Sequence, residues 1–337
     1  MKIGNIELGD FPLLLAPMED VSDPPFRSVC KKNGADLMFT EFISSEGLIR
    51  DADKSVQKLD IYDSERPIGI QIFGDNIESM KKAAKISEQA QPEILDINYG
   101  CPVKKVACRG AGAGILLDLN KMQKMTEEIV KQVKIPVTVK TRLGWDENTI
   151  KIIEVAERLQ DAGIKALTIH GRTRKQMYKG EANWEYIAEV KNNSRISIPI
   201  FGNGDIDTPE KAFEYKNRFG VDGIMIGRAA IGNPWLFDEI KYFFKYRKKR
   251  NSPSLEERIK AVKNHLNFSI KWKGEKLGLI EMRRHYSNYF RGIANFKEHR
   301  LKLIHSENIK ESTALLDEIY NIYSCLLYTS PSPRDRG

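Results

Sequence analysis

Glu93-Ile94-Leu95-Asp96-Ile97-Asn98-Tyr99-Gly100-Cys101 is a short, β-rich, mostly apolar run. Residues 121–133 follow it with apolar side chains at helical spacing, and Val137-Thr138-Val139-Lys140-Thr141-Arg142 is a second run of the first kind. Near-continuous apolar strands joined through a helix mark a parallel sheet covered on both faces. Outward from this unit the pattern repeats, with runs at residues 13–18, 35–42, 68–74, 166–172, 198–205 and 223–230. Helix-like segments lie between them, clearest at 77–89 and 149–162. Pro136 and Pro199 stand at strand starts, where a missing amide donor is tolerated. Eight strand-helix units over about 230 residues predict an α/β fold, a TIM (β/α)8 barrel. A doubly wound open sheet is the rival, but no G-x-G-x-x-G follows the first strand to support a dinucleotide-binding version.

The pattern changes after Pro234, where residues 235–323 show helical spacing and no convincing strand. Helices are expected over 255–270 and 312–323, the first starting near Pro253 or Ser254 after a linker at 245–253. The expected division is a barrel over 1–240 and a small all-helical domain over 241–323. Residues 324–337 are set apart as a non-native or disordered tail. From Leu326 onward they do not continue the helix and look like a vector or assembly junction.

Charge divides the chain in the same way. Residues 241–310 hold 19 Lys and Arg against 6 Asp and Glu, a net of +13, whereas residues 1–240 carry −3. A basic helical segment on an acidic body suggests contact with a polyanion. The start, Met1-Lys2-Ile3-Gly4-Asn5, has no signal-peptide pattern and no apolar run approaches bilayer length, so a cytoplasmic protein is expected. Cys30, Cys101, Cys108 and Cys325 form no C-x-x-C pair and no metal-ligand spacing, so any working cysteine acts as a free thiol and no metal is expected.

Polar residues and glycines gather at the C-terminal strand ends, the active-site face of such a barrel. They are Pro17 and Met18, Gln71, Asn98 and Cys101, Lys140 and Arg142, His170 and Arg172, Asn203-Gly204-Asp205, and Gly227-Arg228. Glycines after strands 7 and 8, with Arg228, suit a phosphate cradle. Lys140, ending an apolar strand, needs an anionic partner or solvent, and beside a flavin it would stabilise negative charge on the reduced ring. Cys101 lies between Gly100 and Pro102 at a strand-to-loop transition, where burial is not the natural expectation. The Gly-, Lys- and Arg-rich loop 103–114 reads as a mobile lid. A neutral thiol there would serve as a general acid, with Cys108 as second candidate.

Several stretches together resemble the bacterial tRNA-dihydrouridine synthases, most closely the B type. They are Leu15-Ala16-Pro17-Met18-Glu19-Asp20-Val21-Ser22-Asp23-Pro24-Pro25-Phe26-Arg27, Asn98-Tyr99-Gly100-Cys101-Pro102, Val139-Lys140-Thr141-Arg142, His170-Gly171-Arg172-Thr173-Arg174, Gly202-Asn203-Gly204-Asp205 and Ile226-Gly227-Arg228-Ala229-Ala230. The resemblance spans residues 1–323. It implies a TIM barrel holding FMN, NADPH as reductant, tRNA as substrate and a C-terminal helical tRNA-binding domain. Hydride would pass from flavin N5 to uridine C6 and a proton from Cys101 to C5. Pro17, Met18, Glu19, Gln71, Lys140, His170, Asn203, Gly204, Asp205, Gly227 and Arg228 would line FMN. Asn98, Arg142, Arg172 and Arg174 would face the uracil or nearby phosphates. A base inside a folded RNA must be extruded or taken from a loop, and the basic helices would grip the phosphates. Lys271, Lys273, Lys276, Arg283, Arg284 and Arg291 are the candidates, with Tyr286, Tyr289 and Phe290 assigned to the core. Two other functions stay open: an FMN-dependent reductase of a free pyrimidine, and a tRNA-binding protein without catalysis.

Overall fold

The computed structural model describes residues 1–328. The eight expected strands form: β1 (Leu13–Leu15), β2 (Leu37–Phe39), β3 (Ile68–Phe73), β4 (Ile94–Tyr99), β5 (Val137–Arg142), β6 (Ala166–His170), β7 (Ile200–Asn203) and β8 (Gly223–Ile226). All neighbours are parallel, in the order β2-β1-β8-β7-β6-β5-β4-β3. Met38 and Phe39 pair with Ile68 and Gly69 and close the circle, which excludes the open doubly wound sheet. Most strands are shorter than the apolar runs that announce them, because several runs continue into the loops above the rim.

Side chains alternate across each strand, so every second residue points inward. The outward set is aliphatic, as in Ile70, Ile72, Leu95, Ile97, Val139, Leu167 and Ile169, all buried. Fully burying each such side chain stabilises the fold by about 1.5–3 kcal/mol. The inward set is graded. Leu14, Phe39, Ile94, Ala166, Phe201 and Met225 form an apolar lower plug, joined by Ile3 and Leu8 from the N-terminal segment. Above them the register brings Gln71, Asp96 and Thr138 to one level, and Asn98 and Lys140 to the next. Polarity therefore rises toward the C-terminal mouth.

The surrounding helices start where the sequence supplies caps. Asp23, Asn76, Asp118 and Thr208 each accept a backbone N–H at the heads of Pro24–Lys32, Ile77–Gln89, Leu119–Gln132 and Pro209–Phe219. Arg27, buried beneath the β1 loop, pairs with buried Glu65 at 3.0 Å and donates to the carbonyls of Ser22 and Asp60.

The chain separates into two compact units. The first comprises Met1–Ala230 and Leu236–Lys249, and the second comprises Ile231–Trp235 and the residues from Arg250 onward. Helix Leu236–Tyr246 therefore belongs with the barrel, and so do five cations of the basic stretch, Lys241, Lys245, Arg247, Lys248 and Lys249. Residues 250–310 retain 14 Lys and Arg against 6 Asp and Glu.

The second unit is all-helical, built from Leu255–Lys273, Glu275–Tyr289, Lys297–His305 and Ile309–Tyr328. Ser254 opens it with a reciprocal capping box to Glu257. Val262, Leu266, Met282, Tyr286, Tyr289, Phe290, Leu316 and Ile319 form its core. A second boundary, at the C-terminal end, also differs from the sequence reading. The last helix continues through Leu326 to Tyr328 rather than stopping before Leu326. The rest of the expected tail, 329–337, lies outside the described residues. Among the described residues no helix is long and apolar enough to cross a membrane.

Candidate active site

The mouth of the barrel gathers most of the polar strand ends. Lys140, on β5, is half-buried and has neither an ion-pair nor a hydrogen-bond partner among the described residues. Burial foremost, and the positive charge of Arg142 next, bring it down to about 7, with Asp96 opposing. His170, on β6, is buried, and burial together with Arg142, Lys140, Arg172 and Arg228 holds it neutral, well below the ordinary histidine value. A neutral imidazole and a lysine with no carboxylate in ion-pair contact among the described residues suit an anionic or polarisable ring system better than a metal ion.

The strand 7 and 8 loops have the geometry a phosphate requires. Gly204 (φ +127°) brings its backbone so close to His170 that an added Cβ would lie 3.1 Å from the ring and 2.6 Å from the Ala182 Cβ. The amides of Gly204, Asp205, Gly227 and Arg228 donate to no group among the described residues. Arg228 is exposed beside them. Asn203 is buried and donates to the Met225 carbonyl at 2.8 Å, tying β7 to β8. Pro17 and Met18 are half-buried above β1. Glu19 pairs with Lys58 at 2.5 Å and is near enough to Cys101 for its charge to help raise the thiol.

Cys101 corrects one expectation: it is buried, with 5% of its surface exposed. Gly112, at φ +52°, makes this possible, since a Cβ there would lie 2.9 Å from the Cys101 Cβ. The Ala113 amide also donates to the Cys101 carbonyl at 3.1 Å. The segment expected to be a mobile lid instead contains the helical turns Lys104–Ala107 and Gly112–Leu117 and buries Ala107, Ala111 and Ala113. Alanines hidden by the lysines and arginines of the same stretch supply that packing. Burial pushes the Cys101 thiol above its ordinary value, while the Val103 amide and the charges of Arg142 and Lys140 work against it. The thiol is therefore protonated at neutral pH. Cys108 is exposed.

The two buried arginines expected to face substrate are engaged with protein. Arg142 donates to the carbonyls of Gly100 (2.8 Å), Thr173 (3.0 Å) and Met177 (2.9 Å). Arg172 forms a bidentate pair with Asp205 at 2.8 and 2.7 Å and donates to the Lys179 and Gly180 carbonyls. Burial alone would raise the Asp205 carboxyl, but Arg172 and the Ala182 amide outweigh it and hold it below the ordinary range. Arg174 stacks over Trp145 at 4.6 Å. Together Arg142 and Arg172 fasten the loop after β6, with Met177 at φ +52°, and that loop presents Tyr178. Tyr178 is 52% exposed, and its ring lies 4.7 Å from the Arg228 guanidinium and 5.7 Å from that of Arg142. Sequence reading missed Tyr178, because a single tyrosine in a polar loop carries no signal until the loop is folded.

Beneath the mouth, Gln71 is fully buried with both ends of its amide engaged. It donates to Asp96 at 2.6 Å and accepts from Asn98 at 2.8 Å. In the helical unit Lys271, Lys276 and Arg283 are exposed and make no ion pair among the described residues. Arg284 and Arg291 are also exposed, whereas Lys273 is held by Glu281 at 2.5 Å.

Residues 14–322 match the family model described as dihydrouridine synthase. A probable tRNA-dihydrouridine synthase of Rickettsia prowazekii is 38% identical over 97% of this chain and 98% of its own length. A tRNA-dihydrouridine synthase B of Pseudomonas aeruginosa is 38% identical over 86% of each chain. Among solved structures, a 2-naphthoyl-CoA reductase superposes with a TM-score of 0.58 at 13% identity, over 72% of this chain and 51% of its own. A histamine dehydrogenase from Rhizobium gives 0.53 at 12% identity, over 79% and 50%. The chain spans about half the length of these two structures, and at such identity they share its barrel fold alone.

Proposed function

The chain belongs to the dihydrouridine synthase family, and on that premise we propose that it reduces the C5=C6 bond of particular uridines in tRNA to 5,6-dihydrouridine, using bound FMN and NADPH as reductant. The observation that carries this reading is the buried, protonated Cys101 on the same barrel mouth as the unpartnered Lys140 and the open amides after β7 and β8. These groups fit a flavin mononucleotide: four free amides and Arg228 for the phosphate, Lys140 for the electron-rich edge of the ring, and neutral His170 alongside. When bound and reduced, FMN supplies the hydride that uridine C6 receives. Everything else falls to the protein. Hydride addition at C6 leaves enolate character at C5, and Cys101 delivers its proton there as general acid. Asn98 and Tyr178 line the approach, while Arg142 and Arg172 hold the loop that carries Tyr178. The helical unit grips the tRNA through exposed Lys271, Arg283 and Arg284, and the protein works on its substrate in the cytoplasm.

The purified protein should carry visible flavin absorbance, and Lys140→Met should weaken FMN retention roughly 10- to 100-fold, the loss of one charge-assisted contact. Protein that purifies without flavin and takes up none on incubation with FMN would remove the cofactor from this account.

A further inference from the structure

A buried chain of side chains leads from the barrel interior to the backbone of Cys101, and each link has a fixed direction. Asp96, 1% exposed on β4, accepts from Gln71 Nε2 at 2.6 Å and from Thr138 Oγ1 at 2.5 Å. Gln71 Oε1 accepts from Asn98 Nδ2 at 2.8 Å. Asn98 Oδ1 in turn accepts the amides of Gly100 at 3.0 Å and Cys101 at 2.8 Å. An amide side chain can flip end for end, exchanging donor and acceptor at little intrinsic cost. A carboxylate cannot, because when ionised it only accepts. With Asp96 as terminus, Gln71 must present its NH2 downward and its oxygen upward. Asn98 presents its NH2 to Gln71 and its oxygen to the Gly100 and Cys101 amides, which only donate, so both ends of the relay enforce one sense. Reversing any link would set donor against donor and acceptor against acceptor among buried groups, where an unmade bond costs about 1–3 kcal/mol.

We propose that Asp96 is a positioning residue: as a charged terminus that only accepts, it anchors Gln71 and, through Gln71, the Asn98 amide that clasps Gly100 and Cys101, and so holds the reactive thiol in place at the barrel mouth. Burial brings the Asp96 carboxyl up to about 6, against the pull of Gln71, Thr138 and Lys140, and it is still mostly ionised at neutral pH. The relay spans β3, β4 and β5 over two successive levels of the barrel and touches no exposed group, which fits an orienting role. The proposal rests on Cys101 being the acid of the uridine reduction, but the placement of the thiol can be read without that reaction.

The test uses Asp96→Asn, the double variant Asp96→Asn/Gln71→Glu, and the wild-type full chain. In the single variant the charged anchor becomes a neutral amide that holds Gln71 more weakly, the relay is fixed from the backbone end alone, and the clasp on Cys101 loosens. In the double variant the carboxylate moves one link up and accepts from both the new amide at position 96 and Asn98, which restores the original sense at Asn98. Two quantities are read: the iodoacetamide alkylation rate at Cys101, resolved by peptide mass spectrometry from that at Cys108, and kcat and KM for tRNA. The single variant should change the Cys101 alkylation rate and lower kcat roughly 10- to 100-fold with KM little altered, the scale of a misplaced reacting group. The double variant should recover most of both. Alkylation and kcat in Asp96→Asn that match wild type would overturn the proposal, as would a double variant as impaired as the single one. If Asp96→Asn does not fold, Gln71→Met breaks the same relay without moving charge and should show the same loosening at Cys101. If wild type modifies no tRNA, the functional reading fails while the alkylation arm still decides the relay.

Discussion

The interiors of the two units treat polarity in opposite ways. In the barrel, polar side chains are stacked inward and upward, and apart from Lys140 the central ones are held by other groups: Asp96 by Gln71 and Thr138, Arg172 by Asp205, and Arg142 by three carbonyls. In the helical unit the core is aromatic and aliphatic, its buried titratable groups include His265, His285, Tyr286 and Tyr289, and the cations sit on the surface. The difference separates two kinds of function. The barrel works by position, so one atom out of place is costly. The helical unit works by summed charge, so its contribution should decay in increments.

The largest expected effect tests the positional half. Cys101→Ala should slow dihydrouridine formation by roughly 10²–10⁴-fold, the usual worth of a general acid, with tRNA affinity unchanged. The rate is measured by nucleoside mass spectrometry and the affinity by filter binding. A comparable loss on changing exposed Cys108, with Cys101→Ala active, would reverse the assignment.

A second effect concerns the histidine-bearing core of the helical unit. Burial lowers His265 to about 3, and burial, His265 and Arg284 hold His285 well below its ordinary value. Both are neutral when folded and take up protons more readily when unfolded. Stability is therefore full above about pH 6.5 and is lost as pH falls toward 3, by roughly 2 kcal/mol at pH 5 for His265 alone. Urea unfolding at pH 7 and pH 5 measures this, and His265→Gln should flatten the dependence. Equal slopes in the two proteins would mean that this core does not set the acid response.

The smallest effect tests the incremental half. Changing Lys271, Arg283 and Arg284 to Gln together should weaken tRNA binding about tenfold and reduce its log–log salt slope by roughly 2 to 3, leaving kcat at saturating tRNA intact. A collapse of kcat instead would give the helical unit a positional role as well.

Much of the barrel is legible in the sequence because parallel strands buried on both sides write themselves as apolar runs, and a catalytic rim leaves lysine, histidine and asparagine at their ends. The run at residues 137–142 coincides with its strand to the residue. The rest depends on contacts between distant residues. Nothing in the chain near Arg172 shows that Asp205, 33 residues on, will take its guanidinium. Cys101 reads as exposed because the glycine that admits the packing over it, Gly112, lies eleven positions away. The polar sense of the Asp96 relay exists only once β3, β4 and β5 are in register. In the helical unit, periodicity locates the helices Leu255–Lys273 and Ile309–Tyr328 but not the two between them. It does not show that Leu236–Tyr246 and the cations following it belong with the barrel, because amphipathic helices read alike wherever they pack.

The central claim, reduction of uridine within tRNA, is tested most directly by incubating the purified protein with NADPH and tRNA from cells lacking it, then weighing the nucleosides. The account predicts NADPH-dependent conversion of a tRNA uridine to a product heavier by two hydrogens. Uridines left unchanged in that tRNA, together with NADPH-dependent reduction of a free pyrimidine, would contradict it.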